Sequence, residues 1–261
     1  MASNIPTASV SKNQLLAGRI LSALPILFLL MDGGMKLAKP KFVVDATVQL
    51  GYAESVVVGL GIVLTICTIL YAIPRTSVLG AILLTGYLGG AVATHVRLGN
   101  PWFSHILFPV YLGILIWGGL YLRDARLRSL ISSIAQITSE SKKMIWAGRI
   151  LSALPVLLLL FSGFMKVTKR PEVIEGFAKF GYQERVIVGI GVLEIACTIL
   201  YLIPRTSVLG AILVAGYMGG AAATHLRLGE PVILQVLLAV LAWGGLYLRD
   251  ARLRALIPVK S

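Results

Sequence analysis

A chain of 261 residues in which 57% are hydrophobic and only 13% charged, with a mean hydropathy of +0.87, lacks the polar surface of a water-soluble domain, where about a quarter of residues are charged. The net charge of +13 does not point to nucleic acid, because the Lys and Arg residues sit in short clusters between apolar runs, a pattern that sets membrane topology. Two cysteines, Cys67 and Cys197, each inside an apolar run and with no CxxC pattern, exclude a disulfide framework and a thiolate metal cluster.

In chain order, Met1–Asn13 is polar. The run Leu15–Met35 is too long for a signal-peptide core and has no small-residue cleavage pattern after it, so it predicts a retained first membrane helix. Pro40–Gly51 follows as a short amphipathic segment, and then come the runs Ser55–Ile73, Thr76–Val96 and Phe103–Leu122. A Ser-rich stretch, 129–145, predicts a linker whose Leu130, Ile131, Ile134 and Ile137 can lie along the interface. The series then repeats. Ala147–Met165 is a membrane helix and Pro171–Gly181 an amphipathic segment with Val173, Ile174, Phe177 and Phe180 at helical spacing. Val186–Ile203, Ser207–Leu226 and Val232–Leu248 complete it. Each long run suffices to cross roughly 30 Å of hydrocarbon as a helix, and backbone groups in lipid must be paired within the segment, which makes them helices.

The repetition is literal. AGRILSALP occupies Ala17–Pro25 and Ala147–Pro155, and YxIPRTSVLGAIL occupies Tyr71–Leu83 and Tyr201–Leu213. THxRLGxP occupies Thr94–Pro101 and Thr224–Pro231, all at an offset of 130. GGLYLRDARLR recurs at Gly118–Arg128 and Gly244–Arg254 with an offset of 126, so the second copy is shorter between its third and fourth runs. The expected fold is an all-α membrane protein with eight transmembrane helices in two parallel four-helix bundles: a unit at 1–128, a cytoplasmic linker at 129–145 and a second unit at 146–261. Lys and Arg are richer on the side that holds the termini and the linker, which predicts that both termini are cytoplasmic.

Four segments of copy two carry a family resemblance: GRILSALP, SGFMK at Ser162–Lys166, PEVIEGFAKFGY at Pro171–Tyr182, and the long segment Gly191–Gly229. Together they resemble the DoxX-like family of bacterial membrane proteins. Copy one resembles it too, but has Leu64 where copy two has Glu194, and Asp32 where it has Ser162. The resemblance implies four-helix units in a bacterial inner (cytoplasmic) membrane. Its founding relatives are subunits of a quinone-linked thiosulfate oxidoreductase, so it implies a place in or beside a membrane redox complex. The implied ligand is a quinone or lipid, with a soluble or membrane oxidoreductase as partner besides the bilayer. No nucleotide loop, Ser-His-Asp set, HExxH or paired-carboxylate pattern is present, so any redox activity would need that partner. A small proton-coupled permease and a non-catalytic assembly protein are the alternative functions. No covalently bound cofactor, no metal and no nucleic-acid partner is expected.

Ionisable residues inside a bilayer are costly and mark candidate sites. Glu194 falls near mid-membrane, where a carboxyl can relay a proton or hold a ligand oxygen, or can make one interhelical hydrogen bond. Tyr217 lies at similar depth on the next helix, with Tyr87 as its equivalent in copy one. Asp32 and Lys36 are one helical turn apart near the outer surface and can pair; Ser162 and Lys166 are their counterparts. His95 with Arg97, and His225 with Arg227, form a repeated polar cap near the outer interface that can take lipid headgroups, a ligand headgroup or the amphipathic helix; the histidines meet only if the pseudo-twofold axis passes close by. Gly86, Gly90 and Thr94, repeated as Gly216, Gly220 and Thr224, form a small-residue stripe for close helix packing. His105 has no counterpart, Gln235 standing in its place.

Overall fold

The computed structural model describes residues 11–125, 127–128, 142–250 and 253–254. Among these, copy one contains α1 (Lys12–Ala38), α2 (Lys41–Gln49), α3 (Val57–Ala72), α4 (Ser77–Leu98) and α5 (Phe108–Arg123). Copy two contains α6 (Lys142–Val167), α7 (Pro171–Lys179), α8 (Ile187–Leu202), α9 (Ser207–Arg227) and α10 (Ile233–Arg249). No strand occurs among the described residues. Seven helical segments are long and apolar enough to cross a membrane; α10, with 17 residues, is the shorter apolar counterpart of α5. Large side chains face outward on them, Leu27 at 68% and Leu157 at 66% exposure, which in water would be untenable at this density. The chain is an integral membrane protein.

Helix limits follow local chemistry. Ser11 accepts from the Gln14 amide while the Gln14 side chain accepts from Ser11, a capping box that starts α1 before the apolar run begins. α6 begins at Lys142, so the last residues of the 129–145 segment are helical; the apolar residues Leu130, Ile131, Ile134 and Ile137 lie outside the described residues. Pro25 and Pro155 are buried inside α1 and α6, and both helices run through them. The amphipathic segments form α2 and α7.

Within each copy the first helix packs on the second and fourth long helices, and the third packs on the second and fourth. The repeated motifs make this ring. Tyr71, fully buried, donates its hydroxyl to the Ile116 carbonyl at 2.8 Å and is hydrogen-bonded to Ser22 Oγ at 2.9 Å. Arg123 donates to the Tyr71 carbonyl at 3.0 Å with its guanidinium 4.9 Å from the ring centroid. Copy two repeats the set with Tyr201, Ser152, the Ala242 carbonyl and Arg249. A Cβ added to Gly80 or Gly210 would overlap the backbone of Tyr71 or Tyr201, so these glycines let two helices close on the tyrosine. Three motifs far apart in sequence are thus one structural lock, made twice.

The copies dock through α4 and α9. A Cβ on Gly89 would overlap the Gly216 carbonyl, and one on Gly219 would overlap that of Gly86. The contact is reciprocal, as a twofold axis between the copies requires. The small-residue stripe at Gly86 and Gly216 belongs to this seam, but its tightest points, Gly89 and Gly219, are off the i, i+4 ladder read from the sequence.

Candidate functional site

The copy-two site starts from spacing. Ser162 and Lys166 are one turn apart on α6, and Gly191 on α8 is small enough for the Lys166 stem to lie against it: an added Cβ there would sit 2.7 Å from Lys166 Cβ. The lysine therefore reaches into the bundle, where Nζ donates to Glu194 Oε2 at 2.9 Å and also to Ser162 Oγ. Glu194 is 2% exposed. The hydroxyls of Ser162 and of Tyr217 on α9 lie within electrostatic reach of the same carboxyl. Glu194 is therefore half of an ion pair and not a lone carboxyl with one interhelical hydrogen bond. Such a pair is tolerated in low dielectric because the two charges are matched and Lys166 also donates to Ser162.

Copy one keeps the lysine and moves the acid. Lys36 pairs with Asp32, one turn back on its own helix, while the Glu194 position is filled by fully buried Leu64. Asp32 still acts electrostatically on Tyr87, the Tyr217 equivalent. Each copy thus holds an acid, a lysine and a tyrosine together. The equivalent lysine is paired in each copy, with the acid on different helices, Asp32 on α1 and Glu194 on α8.

In copy two this cluster faces a large space. A cavity of about 1170 Å³ is bounded by α4 and α5 of copy one and by α6, α8, α9 and α10 of copy two. Ser162, Lys166, Glu194 and Tyr217 form part of its wall. Elsewhere it is mostly apolar, and Ile114 and Leu193 at its edge are 64% and 54% exposed, so it opens toward lipid.

Gln235 also lines the cavity. It is 8% exposed and its Oε1 has no hydrogen-bond partner. The buried positions of α10, Gln235, Leu238, Ala242 and Leu246, match Pro109, Leu112, Ile116 and Leu120 of α5 at an offset of 126. Gln235 therefore takes the place of Pro109, not of His105. His105 sits in a π-helical turn, Trp102–Ile106, before α5, where copy two has no such turn. A further difference lies at the wall: Trp117 Nε1 donates to Thr85 Oγ1 at 2.9 Å, whereas Ala215 replaces Thr85 and Trp243 Nε1 is buried without a partner.

At the end of the bundles where α2 and α7 lie, the histidines do not meet. His95 packs edge-on to His105, with ring centroids 5.4 Å apart, and bonds Asn100 at 2.8 Å. His225 pairs with Glu230 at 2.7 Å and packs edge-on against Phe180. His225 and Lys179 hold the Glu230 carboxyl below its ordinary pKa. No group of three or more His, Cys, Asp or Glu side chains among the described residues is placed to hold a metal ion. Arg97 and Arg227 instead turn inward, donating to the carbonyls of Leu50 at 2.5 Å and Phe180 at 2.8 Å, just past the ends of α2 and α7.

No curated protein and no solved structure matches the chain. The sequence profile of the DoxX-like family matches it twice, at residues 20–119 and 150–245. Those two segments cover most of the chain and coincide with the two rings of helices, so the protein belongs to the DoxX-like family and carries the family's unit as a tandem duplication.

Proposed function

We propose that the chain spans the bacterial inner membrane eight times as two parallel four-helix bundles with cytoplasmic termini. In this reading it serves a membrane redox complex by binding a small lipophile with a polar head, of the quinone class, in the copy-two cavity. The observation that carries the proposal is the cavity wall: one acid–lysine–tyrosine cluster facing an otherwise apolar space that opens toward lipid. A quinone fits that donor set. Lys166 Nζ, Tyr217 Oη and Ser162 Oγ are donors suited to a carbonyl oxygen, and the apolar walls suit a ring and tail. What these residues do is bind and orient the head and keep a proton-exchanging carboxyl beside it. Electron transfer would be supplied by a partner.

A second reading, a small proton-coupled carrier, has one observation in its favour. The cavity is lined by Arg205 near one end of α9 and by His225 near the other, so it runs along most of that helix. The two are separated by experiment. With purified protein in detergent, a short-tailed ubiquinone analogue should quench the fluorescence of Trp117, which lines the cavity, in a saturable way. Glu194→Gln should weaken this binding about tenfold, the usual scale for removing a charged hydrogen-bonding partner in a buried site. Quenching that is linear in quinone and unchanged in Glu194→Gln, together with proton-driven uptake into vesicles, would replace this reading with the carrier.

A further inference from the structure

The docking of the copies creates a second polar site that neither copy contains alone. Arg97 and Arg227 converge at the outer ends of α4 and α9, near the axis relating the copies. A Cβ built on Gly51 would lie 3.3 Å from Arg97 Nη2 and 3.3 Å from Arg227 Cδ. One built on Gly181 would lie 3.8 Å from Arg97 Cδ and 3.9 Å from Arg227 Nη2. Each arginine therefore covers both glycines, which adopt φ of +83° and +73° after α2 and α7. With no side chain, these glycines leave the room that the two guanidinium groups occupy.

Two like charges held this close repel each other. Among the described residues neither arginine has a carboxylate partner. Each donates one hydrogen bond, to the Leu50 or Phe180 carbonyl, which leaves most donors of its guanidinium free. Arg227 Nε is buried with no partner at all. The neighbouring acids are engaged elsewhere: Glu54 with Lys39, Glu184 with Lys169, and Glu230 with Lys179 and His225. Tyr182 ties the seam beneath, its hydroxyl meeting Thr224 at 2.9 Å in its own copy and the Ala93 carbonyl at 3.3 Å in the other. Capping the ends of α2 and α7 accounts for one hydrogen bond per arginine. It does not account for bringing two uncompensated charges together.

We propose that Arg97 and Arg227 form one anion-binding site, half from each copy, that takes a phosphate group. Forked guanidinium groups suit tetrahedral phosphate oxygens, and the site lies at the level of the amphipathic helices, where headgroup phosphates are found. Neither arginine forms a wall of the cavity. The phosphate can be that of an anionic lipid or of a soluble anion.

The test uses the full-length protein in detergent with two probes. Native mass spectrometry reads retention of phosphatidylglycerol against phosphatidylcholine, and thermal unfolding reads the effect of inorganic phosphate. The double variant Arg97→Gln/Arg227→Gln should lose either preferential phosphatidylglycerol retention, by about tenfold, or the phosphate-induced rise in Tm. Loss of the first identifies lipid as the source, and loss of the second a soluble anion. Arg170→Gln, an exposed outer-face arginine outside the cluster, should change neither. If the double variant does not fold, Arg227→Lys, which keeps the charge and removes the fork, should still lower whichever signal the wild type gives. The proposal is overturned if wild type and variants are indistinguishable by both probes, or if Arg170→Gln loses as much as the double variant.

Discussion

Glu194→Leu should destabilise the protein by about 3–5 kcal/mol, and adding Ser162→Asp to it should restore most of that loss. The first figure is the ordinary cost of removing one partner from a buried ion pair, because the remaining charge is left without compensation. Here the stranded group is Lys166, whose side chain is 11% exposed. Its stem is pinned against Gly191, so it has little freedom to reach the surface. The rescue follows from copy one. There a leucine occupies the Glu194 position and the lysine is satisfied by an aspartate one turn earlier on its own helix. Glu194→Leu with Ser162→Asp rebuilds that arrangement in copy two. Denaturation of the purified variants, followed by circular dichroism, checks it. The exchange of acids is not a compensation if the double variant is no more stable than Glu194→Leu alone.

The second large effect is at the seam. Gly89→Leu should separate the two copies, since even a Cβ at that position overlaps the Gly216 backbone, which has no side chain to move aside. Overpacking of this kind costs about 1–3 kcal/mol and more where backbone is the obstacle. A disulfide reports it. A Cβ on Gly220 would lie 3.1 Å from Ala93 Cβ, within a few tenths of an ångström of disulfide spacing. An Ala93→Cys/Gly220→Cys protein carrying a protease site between the copies should therefore stay joined after cleavage until it is reduced. In the Gly89→Leu background the joined fraction should fall severalfold. Fragments that never join in the glycine background would mean that α4 and α9 do not form this seam.

The fold was largely legible in the sequence because membrane helices declare themselves locally. Long apolar runs, the literal repeats and the amphipathic segments each needed only neighbouring residues to interpret. The site was less legible because its partners come from different helices. Lys166 and Glu194 are 28 residues apart, and nothing in either segment ties them together. Asp32 and Glu194 occupy different repeat positions; the Asp32–Lys36 pair is legible from its one-turn spacing, whereas the Lys166–Glu194 pair is not. At the end of the bundles where α2 and α7 lie, the sequence offers each histidine and the arginine two positions later as one polar cap. Two residues turn a helix by about 200°, so one member of each pair faces the axis while the other turns away, and only packing decides which. Gln235 was misplaced because sequence alone did not say where copy two had lost its residues. The π-helical turn before α5 answers that.

The most direct measurement is mass spectrometry of the small molecules retained by the detergent-purified protein, wild type beside Glu194→Gln. The account predicts that the wild type carries a lipophile with a carbonyl or hydroxyl head, of the quinone class, and that Glu194→Gln, folded to the same helical content, retains about tenfold less of it. Bulk phospholipid alone on the wild type, or an equal amount of the same lipophile on both proteins, would contradict a binding role for the Lys166–Glu194–Tyr217 wall.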